Sequence, residues 1–283
     1  MWRGERSRSH DDFERFVGTT NRLVKNMQTK ALVLYGYGVN CEQESKLSVE
    51  RAGGTAKILH INEVTETPKI LEDYNFLILP GGFSFGDDLG SGKVFANKIK
   101  FKLHDELLRF INDGKLVAGI CNGFQSLVKM GLLPIPDFEQ RVTLTVNDSG
   151  HFEDRWVMLK MNKASPCVFT KGIEYMMVPV RHGEGKFIPK DETVLKDIVD
   201  NNLIFAQYVD EKGQLGNYPW NPNGSVMNIA GICDRSGRIF GMMPHPEAFN
   251  DQTNNPYWTT GIVKEAQGLK LFRNAVEYIK EKL

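Results

Sequence analysis

The chain has 283 residues, a length that suits one large α/β domain or two small ones. Hydrophobic residues make up 41% and charged residues 25%, which is the composition of a globular protein that can bury a core. The 35 basic and 35 acidic residues cancel, which argues against binding to nucleic acid or to a membrane surface through bulk charge. No segment approaches the roughly 20 consecutive apolar residues that span a bilayer.

Residues 1–29 read as an N-terminal extension that we expect to be disordered, and residues 30–283 as a single folded domain. The extension begins with a basic, serine-containing stretch, but no apolar segment follows it, so it does not resemble a signal peptide. Its acidic residues, among them Glu5 and Asp11, argue against a transit peptide. We therefore expect a cytoplasmic protein.

The spacing of the cysteines also favours a cytoplasmic protein. They show no paired spacing and no CxxC motif, so a disulfide framework is not expected and a reducing setting is the default. The four are Cys41, Cys121, Cys167 and Cys233. Histidines, cysteines and carboxylates also show no metal-ligand spacing, so the sequence predicts no metal site.

Short apolar runs alternate with helical patterns through the first half of the folded region. Strands are predicted at 31–35, 56–61, 76–79 and 116–120, and helices at 93–112 and 123–130. Continuous apolar runs are typical of parallel strands that are buried on both faces. This order predicts an α/β fold with a doubly wound, mostly parallel sheet of the flavodoxin-like type, flanked by helices.

The pattern changes after Pro134, where shorter β-like segments are separated by many turns. Strands are predicted at 142–146, 156–161, 203–209, 226–232 and 238–243, and a final helix at 261–282. Gly131, just past the helix at 123–130, suits the C′ position of that helix. No repeat or break in composition divides the region, which predicts one domain.

Cys121 is the strongest candidate for a catalytic residue. It lies at the end of a predicted strand and directly before a helix, in the spacing Gly119-x-Cys121-x-Gly123 of a nucleophile elbow. Such a sharp turn leaves no room for side chains at the two glycines. The helix N-terminus favours the thiolate, and the Asn122 amide points to where an oxyanion would form. The alternative is that Cys121 is a small buried hydrophobic residue.

A thiolate nucleophile needs an acid/base partner, and His245 is the best candidate for it. It follows the predicted strand at 238–243 within Met243-Pro-His-Pro-Glu247. Histidine transfers protons near neutral pH, and Glu247 two residues later can fix its tautomer. Taken alone, such a turn is more often structural, so the hypothesis depends on its combination with Cys121.

Two glycine-containing loops are further candidates. Gly81–Asp87 follows the third strand, where glycine amides can stabilise an oxyanion, but its spacing matches neither nucleotide-binding fingerprint. Asp87 and Asp88 are expected to lie in a solvated loop. His182 lies in a polar, glycine-flanked segment that suggests a loop at the edge of a binding site. His60 and His104 are expected to be surface or satisfied core groups.

The elbow at Gly119–Gln125, with His245-Pro-Glu247 downstream, resembles the class I, triad-type glutamine amidotransferases. Within them, the chain is similar to the glutaminase subunits of phosphoribosylformylglycinamidine synthases, which act in purine biosynthesis. Four segments carry this narrower resemblance, which covers the chain from about residue 30 to the C-terminus: Gly81–Asp87, Asn147–Phe152, His182–Gly185 and Tyr218–Ser225.

The resemblance implies specific roles. Cys121 would attack the carboxamide of glutamine and form a γ-glutamyl thioester, with His245 as the acid/base and Glu247 orienting it. The amides of Gly82 and Asn122 would form the oxyanion hole. Gln125 would line the glutamine pocket.

The resemblance also implies a partner. Ammonia would pass to a large synthetase subunit that binds ATP and Mg²⁺, so no cofactor is expected in this chain, and the need for a small third subunit stays open. Three alternatives remain. They are a glutaminase that serves another synthetase, a cysteine peptidase or small-molecule hydrolase on a similar sheet, and a binding module in which Cys121 only packs.

Overall fold

The computed structural model describes residues 27–283, so most of the predicted N-terminal extension lies outside the described residues. Eleven strands occur in the described part. They are β1 (Lys30–Tyr35), β2 (Thr55–His60), β3 (Phe76–Leu79), β4 (Leu116–Ile120), β5 (Val142–Thr145), β6 (Glu153–Met161), β7 (Tyr175–His182), β8 (Lys186–Pro189), β9 (Ile204–Val209), β10 (Ile229–Cys233) and β11 (Ile239–Met242).

Seven α-helices flank these strands within residues 27–283. They are α1 (Glu42–Arg51), α2 (Ile61–Glu66), α3 (Lys93–Lys102), α4 (His104–Asn112), α5 (Asn122–Met130), α6 (Glu192–Asp200) and α7 (Leu269–Lys282). Helix α1 packs against α7, and α3 packs against α5. None of the helices in this part of the chain is long and apolar enough to cross a membrane.

The parallel half of the central sheet has the strand order β2-β1-β3-β4-β11. Each neighbouring pair is parallel, and β3, β4 and β11 are buried along their whole length. Gly119 is in register with Leu79 on one side and with Gly241 on the other, so the carboxyl ends of β3, β4 and β11 lie level. The prediction of a doubly wound, mostly parallel sheet is confirmed.

An antiparallel half continues the same sheet in the order β11-β10-β9-β6-β7. Because each of these four pairings reverses direction, β7 runs the same way as β11 and β4. The carboxyl end of β7, at Arg181 and His182, therefore lies at the same edge of the sheet as the carboxyl ends of the parallel strands. The remaining strands, β5 and β8, form a separate antiparallel pair.

Several predicted elements have different bounds in the structure. The strand predicted at 156–161 begins at Glu153. The helix predicted at 93–112 is two helices, because Leu103 leaves helical geometry and is buried in the core. The strand predicted at 226–232 begins only at Ile229, since Met227 and Asn228 have positive φ angles in a turn. The helix predicted at 261–282 begins at Leu269.

Other features of the second half were not predicted at all. They are strands β7 and β8 and helix α6. Strand β7 contains an uninterrupted apolar run, 175–180, whereas β8 is only four residues long and charged residues interrupt the apolar pattern of α6. The prediction for Gly131 is confirmed, because this residue ends α5 in the left-handed conformation, with φ 79°.

Candidate active site

Cys121 lies in the tight turn between β4 and α5. Its φ and ψ angles are 51° and −107°, a conformation that non-glycine residues rarely adopt. Its backbone N–H donates to the carbonyl oxygen of Met242 at 2.8 Å, which ties the turn to the end of β11. The residue is only 5% exposed. The turn thus holds the side chain at the carboxyl edge of the sheet, as in a nucleophile elbow.

The two flanking glycines are required by close backbone packing. A Cβ atom on Gly123 would lie 1.8 Å from the carbonyl oxygen of Leu79, and one on Gly119 would lie 2.8 Å from that of Gly123. Real side chains do not make such contacts. The steric reason given for the Gly-x-Cys-x-Gly spacing in the sequence is therefore present in the structure.

His245 and Glu247 lie in the turn that follows β11. The Nδ1 atom of His245 is 2.5 Å from Oε1 of Glu247, and the two residues are 2% and 1% exposed. The backbone N–H of His245 donates to the carbonyl oxygen of Pro179 in β7 at 2.8 Å. The carboxylate therefore orients the imidazole in a dry environment, and both halves of the sheet support the turn.

The side chains of Cys121 and His245 both approach Gly81. A Cβ atom on Gly81 would lie 2.7 Å from Cε1 of His245 and 3.4 Å from Cβ of Cys121. Burial by itself lowers the pKa of His245, but the charges of Glu247 and Cys121 raise it, and the net pKa is well above the ordinary histidine value. This environment favours the imidazolium form of His245. The structure brings the three predicted catalytic residues together.

The two predicted oxyanion-hole residues also lie at this edge. Gly82 follows β3 with φ 144°, and Asn122 is the first residue of α5. Within residues 27–283, neither backbone N–H has a hydrogen-bond acceptor. Both are therefore free to donate to a substrate, and their role in the oxyanion hole stays a prediction.

Gln125 is buried one turn into α5, and its side-chain amide is held from both ends. Its Oε1 atom accepts from Nδ2 of Asn122 at 3.0 Å, and its Nε2 atom donates to the carbonyl oxygen of Glu184 at 2.6 Å. These bonds link the elbow to the segment after β7. The predicted contact of Gln125 with glutamine is neither required nor excluded by them, and it stays a prediction.

The prediction that His182 lies in a loop is wrong. It is the last residue of β7, pairs with Glu153 in β6, and is 3% exposed. Within the described part of the chain, neither ring nitrogen has a hydrogen-bond partner. Burial and the nearby His245 lower the pKa of His182 to about 3, so its ring is neutral. The flanking polar residues and glycines concealed this strand end.

The prediction for the acidic pair is half right. Asp88 is exposed, whereas Asp87 is half-buried and accepts hydrogen bonds from Oγ of Ser91 at 2.9 Å and from Nδ2 of Asn122 at 3.1 Å. The Asp87 carboxylate therefore fixes the glycine-rich loop against the elbow. The prediction for His60 is fulfilled in part: its Nδ1 atom accepts from the backbone N–H of Asn62 and caps α2, but its Nε2 atom is buried without a hydrogen-bond partner among the described residues.

Cys41 is a neighbour of the site that was not predicted from the sequence. It immediately precedes α1, and its Sγ atom would lie 3.3 Å from a Cβ atom on Gly81, on the same point that His245 and Cys121 approach. Burial raises the pKa of the Cys41 thiol, and a contact with His245 lowers it to a lesser extent. Its position just after the carboxyl end of β1 was the only signal in the sequence.

Several known proteins have sequences similar to that of this chain. Residues 28–279 match the family model of the CobB/CobQ-like glutamine amidotransferase domain. The chain is 45% identical over 257 residues to the phosphoribosylformylglycinamidine synthase subunit PurQ of Dehalococcoides mccartyi, covering 90% of this chain and 99% of that protein. It is 44% identical over 268 residues to PurQ of Methanococcus maripaludis, covering 89% of this chain and 98% of that protein.

Solved structures give the same result for the fold. A chain of PurLQS from Thermotoga maritima superposes with a TM-score of 0.68 at 30% identity, covering 89% of this chain and 99% of that one. A glutamine amidotransferase from Thermotoga maritima has a TM-score of 0.53 at 14% identity, covering 90% of this chain and 100% of that one, which shows a shared fold alone.

Proposed function

The chain belongs to the CobB/CobQ-like glutamine amidotransferase family, where it groups with the phosphoribosylformylglycinamidine synthase PurQ subunits, and from this we propose that it is the glutaminase subunit of that synthase. The observation that carries the proposal is a buried catalytic triad, formed by Cys121, His245 and Glu247. It occurs in a chain that matches PurQ proteins along nearly their whole length. The pathway it serves is purine biosynthesis.

The proposed reaction begins at the thiolate of Cys121. It attacks the carboxamide carbon of glutamine, and the oxyanion that forms accepts hydrogen bonds from the amides of Gly82 and Asn122. His245 holds the thiol proton and gives it to the leaving nitrogen, so ammonia departs and a γ-glutamyl thioester remains. His245 then removes a proton from water, which attacks the thioester and releases glutamate. Glu247 stabilises the imidazolium in both steps.

The ammonia is proposed to pass to a large, PurL-like synthetase subunit, with ATP and Mg²⁺ bound there rather than in this chain. We propose a cytoplasmic location for the complex.

Exposed aromatic side chains beside the site support a docking surface for the synthetase subunit. Tyr37, Phe83 and Phe152, which we name the aromatic rim, are 63%, 46% and 52% exposed. The rings of Phe83 and Phe152 contact each other with centroids 6.1 Å apart. Apolar groups exposed together in this way mark interfaces.

The first experiment measures glutamate release from glutamine by the chain alone and with the synthetase subunit. We expect weak activity alone, stimulation by the partner, and a loss of at least about 10³-fold in Cys121→Ala. A variant as active as the wild type would refute the nucleophile. If the synthetase subunit gave no stimulation while Cys121→Ala was still inactive, the assignment to the synthase would fail and the glutaminase would stand.

A second experiment tests the aromatic rim. Phe152→Asp places a charge on the rim and should weaken stimulation by the synthetase subunit by about tenfold or more. Tyr175→Asp is the matched control, because Tyr175 is 43% exposed at the opposite end of β7 from the site. Equal stimulation of the two variants would place the interface elsewhere.

A further inference from the structure

Cys41 forms a compact cluster with two residues of the catalytic centre. Its Sγ atom, a ring nitrogen of His245 and a carboxylate oxygen of Glu247 all lie within 4.8 Å of one another. Cys41 precedes α1, whereas the other two follow β11, so the topology of the sheet brings them together. Their separation along the chain explains why the sequence showed no metal-ligand spacing.

The chemistry of the three side chains suits one class of ligand. A thiolate, an imidazole and a carboxylate are the donors that bind zinc and similar soft divalent cations. Three protein ligands leave a fourth position for another group. Cys121 is the nearest candidate for it, because its Cβ atom and the Sγ atom of Cys41 approach the same point in front of Gly81.

Two buried atoms of the His245 and Glu247 side chains have no hydrogen-bond partner within residues 27–283. They are Nε2 of His245 and Oε2 of Glu247. The proposed reaction uses the first atom for proton transfer. It leaves Oε2 of Glu247 without a role, because Oε1 already contacts the imidazole. A buried carboxylate oxygen without a donor needs an explanation, and a bound cation supplies one.

We propose that Cys41, His245 and Glu247 form a binding site for a zinc-like divalent cation that overlaps the catalytic centre. Binding releases two protons into solvent, one from the Cys41 thiol and one from the ring nitrogen of His245 that becomes a ligand, and it engages the Glu247 carboxylate as the third ligand. A bound cation therefore prevents proton transfer by His245 and acts as a reversible inhibitor. This consequence for activity rests on the proposed glutaminase function, whereas cation binding itself does not.

Binding is tested with Co²⁺, which replaces Zn²⁺ and shows a charge-transfer absorbance when a thiolate binds it. The full-length Cys121→Ala variant is titrated, because it lacks the nucleophilic thiol. We expect the thiolate band to saturate at one equivalent of Co²⁺ and to disappear when Cys41→Ser is added. Cys233→Ala in the same Cys121→Ala background is the control and should keep the band, since Cys233 lies buried in β10.

No thiolate band in the Cys121→Ala protein, or a band that survives Cys41→Ser, would overturn the site. Circular dichroism of each variant confirms folding, and Cys41→Ala replaces Cys41→Ser if the serine variant does not fold. This result does not depend on any glutaminase measurement, so it fails or succeeds separately from the proposed function.

Inhibition is tested with Zn²⁺ on the wild-type chain, each protein being compared with its own rate in the presence of a chelator. We expect Zn²⁺ to inhibit glutamate release and Cys41→Ser to raise the concentration for half-inhibition by about tenfold or more. Chelator should restore the wild-type rate. Equal sensitivity of the two proteins would mean that zinc acts through Cys121 and His245 alone, which contradicts the proposed site.

Discussion

Glu247 shows what a single buried carboxylate does for the base beside it. Its charge favours the protonated form of His245, and its 2.5 Å contact with Nδ1 leaves Nε2 as the atom that exchanges protons. In Glu247→Gln the shape is kept but the charge is lost. We expect kcat for glutamate release to fall by about 10³- to 10⁴-fold with little change in KM.

Steady-state kinetics of Glu247→Gln beside Cys121→Ala measures this effect. The glutamine variant should retain more activity than the alanine variant, because it keeps the nucleophile. A fall of less than about tenfold would show that the carboxylate does not act on the imidazole during the reaction.

His182 should make the fold sensitive to acid. The pKa of its imidazole is about 3 in the folded chain and about 6.5 when unfolded, so the unfolded state binds a proton first as the pH falls. Its contribution to stability is therefore intact above about pH 6.5 and is lost progressively towards pH 3, at about 1.4 kcal/mol per pH unit.

Urea unfolding of the wild type and of His182→Leu at several pH values tests this expectation. The variant should lose about 2–3 kcal/mol less than the wild type between about pH 6.5 and pH 4.5. His151→Leu is the control, because His151 is exposed, and it should follow the wild-type curve. Parallel curves for His182→Leu and the wild type would show that His182 is already protonated or accessible in the folded chain.

At the scale of elements, the turn between β4 and α5 requires helix α5 to pack closely against β3. Gly123 allows this contact because it has no side chain. Helix propensity alone predicts that Gly123→Ala stabilises α5 by up to about 1 kcal/mol. The packing of α5 against β3 predicts destabilisation instead, because the Cβ atom of the alanine would lie 1.8 Å from the carbonyl oxygen of Leu79. The steric effect is larger, and we expect a net loss of about 3 kcal/mol or more in the free energy of unfolding.

Gly183→Ala is the matched control for this turn. Gly183 follows β7 near the same edge, and the nearest atom to an added Cβ is 3.9 Å away, so its stability should change by less than about 0.5 kcal/mol. Denaturant unfolding of both variants gives the comparison. Similar stabilities would mean that α5 shifts away from β3 without cost.

For the whole molecule, helix α7 ties the end of the chain back to the body of the fold. Nδ2 of Asn274 donates to the carbonyl oxygens of Phe169 and Lys171 at 2.7 and 2.8 Å. In Asn274→Ala these carbonyls lose their donor, and we expect a loss of about 2 kcal/mol in the free energy of unfolding. Arg273→Ala, at the exposed neighbouring position, should change stability little. Equal effects of the two substitutions in thermal and urea unfolding would contradict this role.

The parallel half of the sheet was predictable because its central strands β3, β4 and β11 are buried on both faces and are rich in apolar residues. In the antiparallel half, strands were predicted over most of β6, β9 and β10, but β7 was not predicted, and neither was the pairing, which joins distant segments. For the same reason Cys121, His245 and Glu247 were identified from local motifs, whereas the place of Cys41 and the burial of His182 depend on how the whole sheet is assembled.

The triad depends on contacts between segments from almost the full length of the chain. Gly81, Cys121, the end of β7 and His245 reach one edge of the sheet only after all of its strands have paired. A nascent chain in which Glu247 has not yet left the ribosome has Cys121 but lacks the base, and β11 cannot yet hold the elbow in place. Hydrolysis of glutamine should therefore begin only after the segment that ends at Glu247 has been translated and β11 has paired with β4.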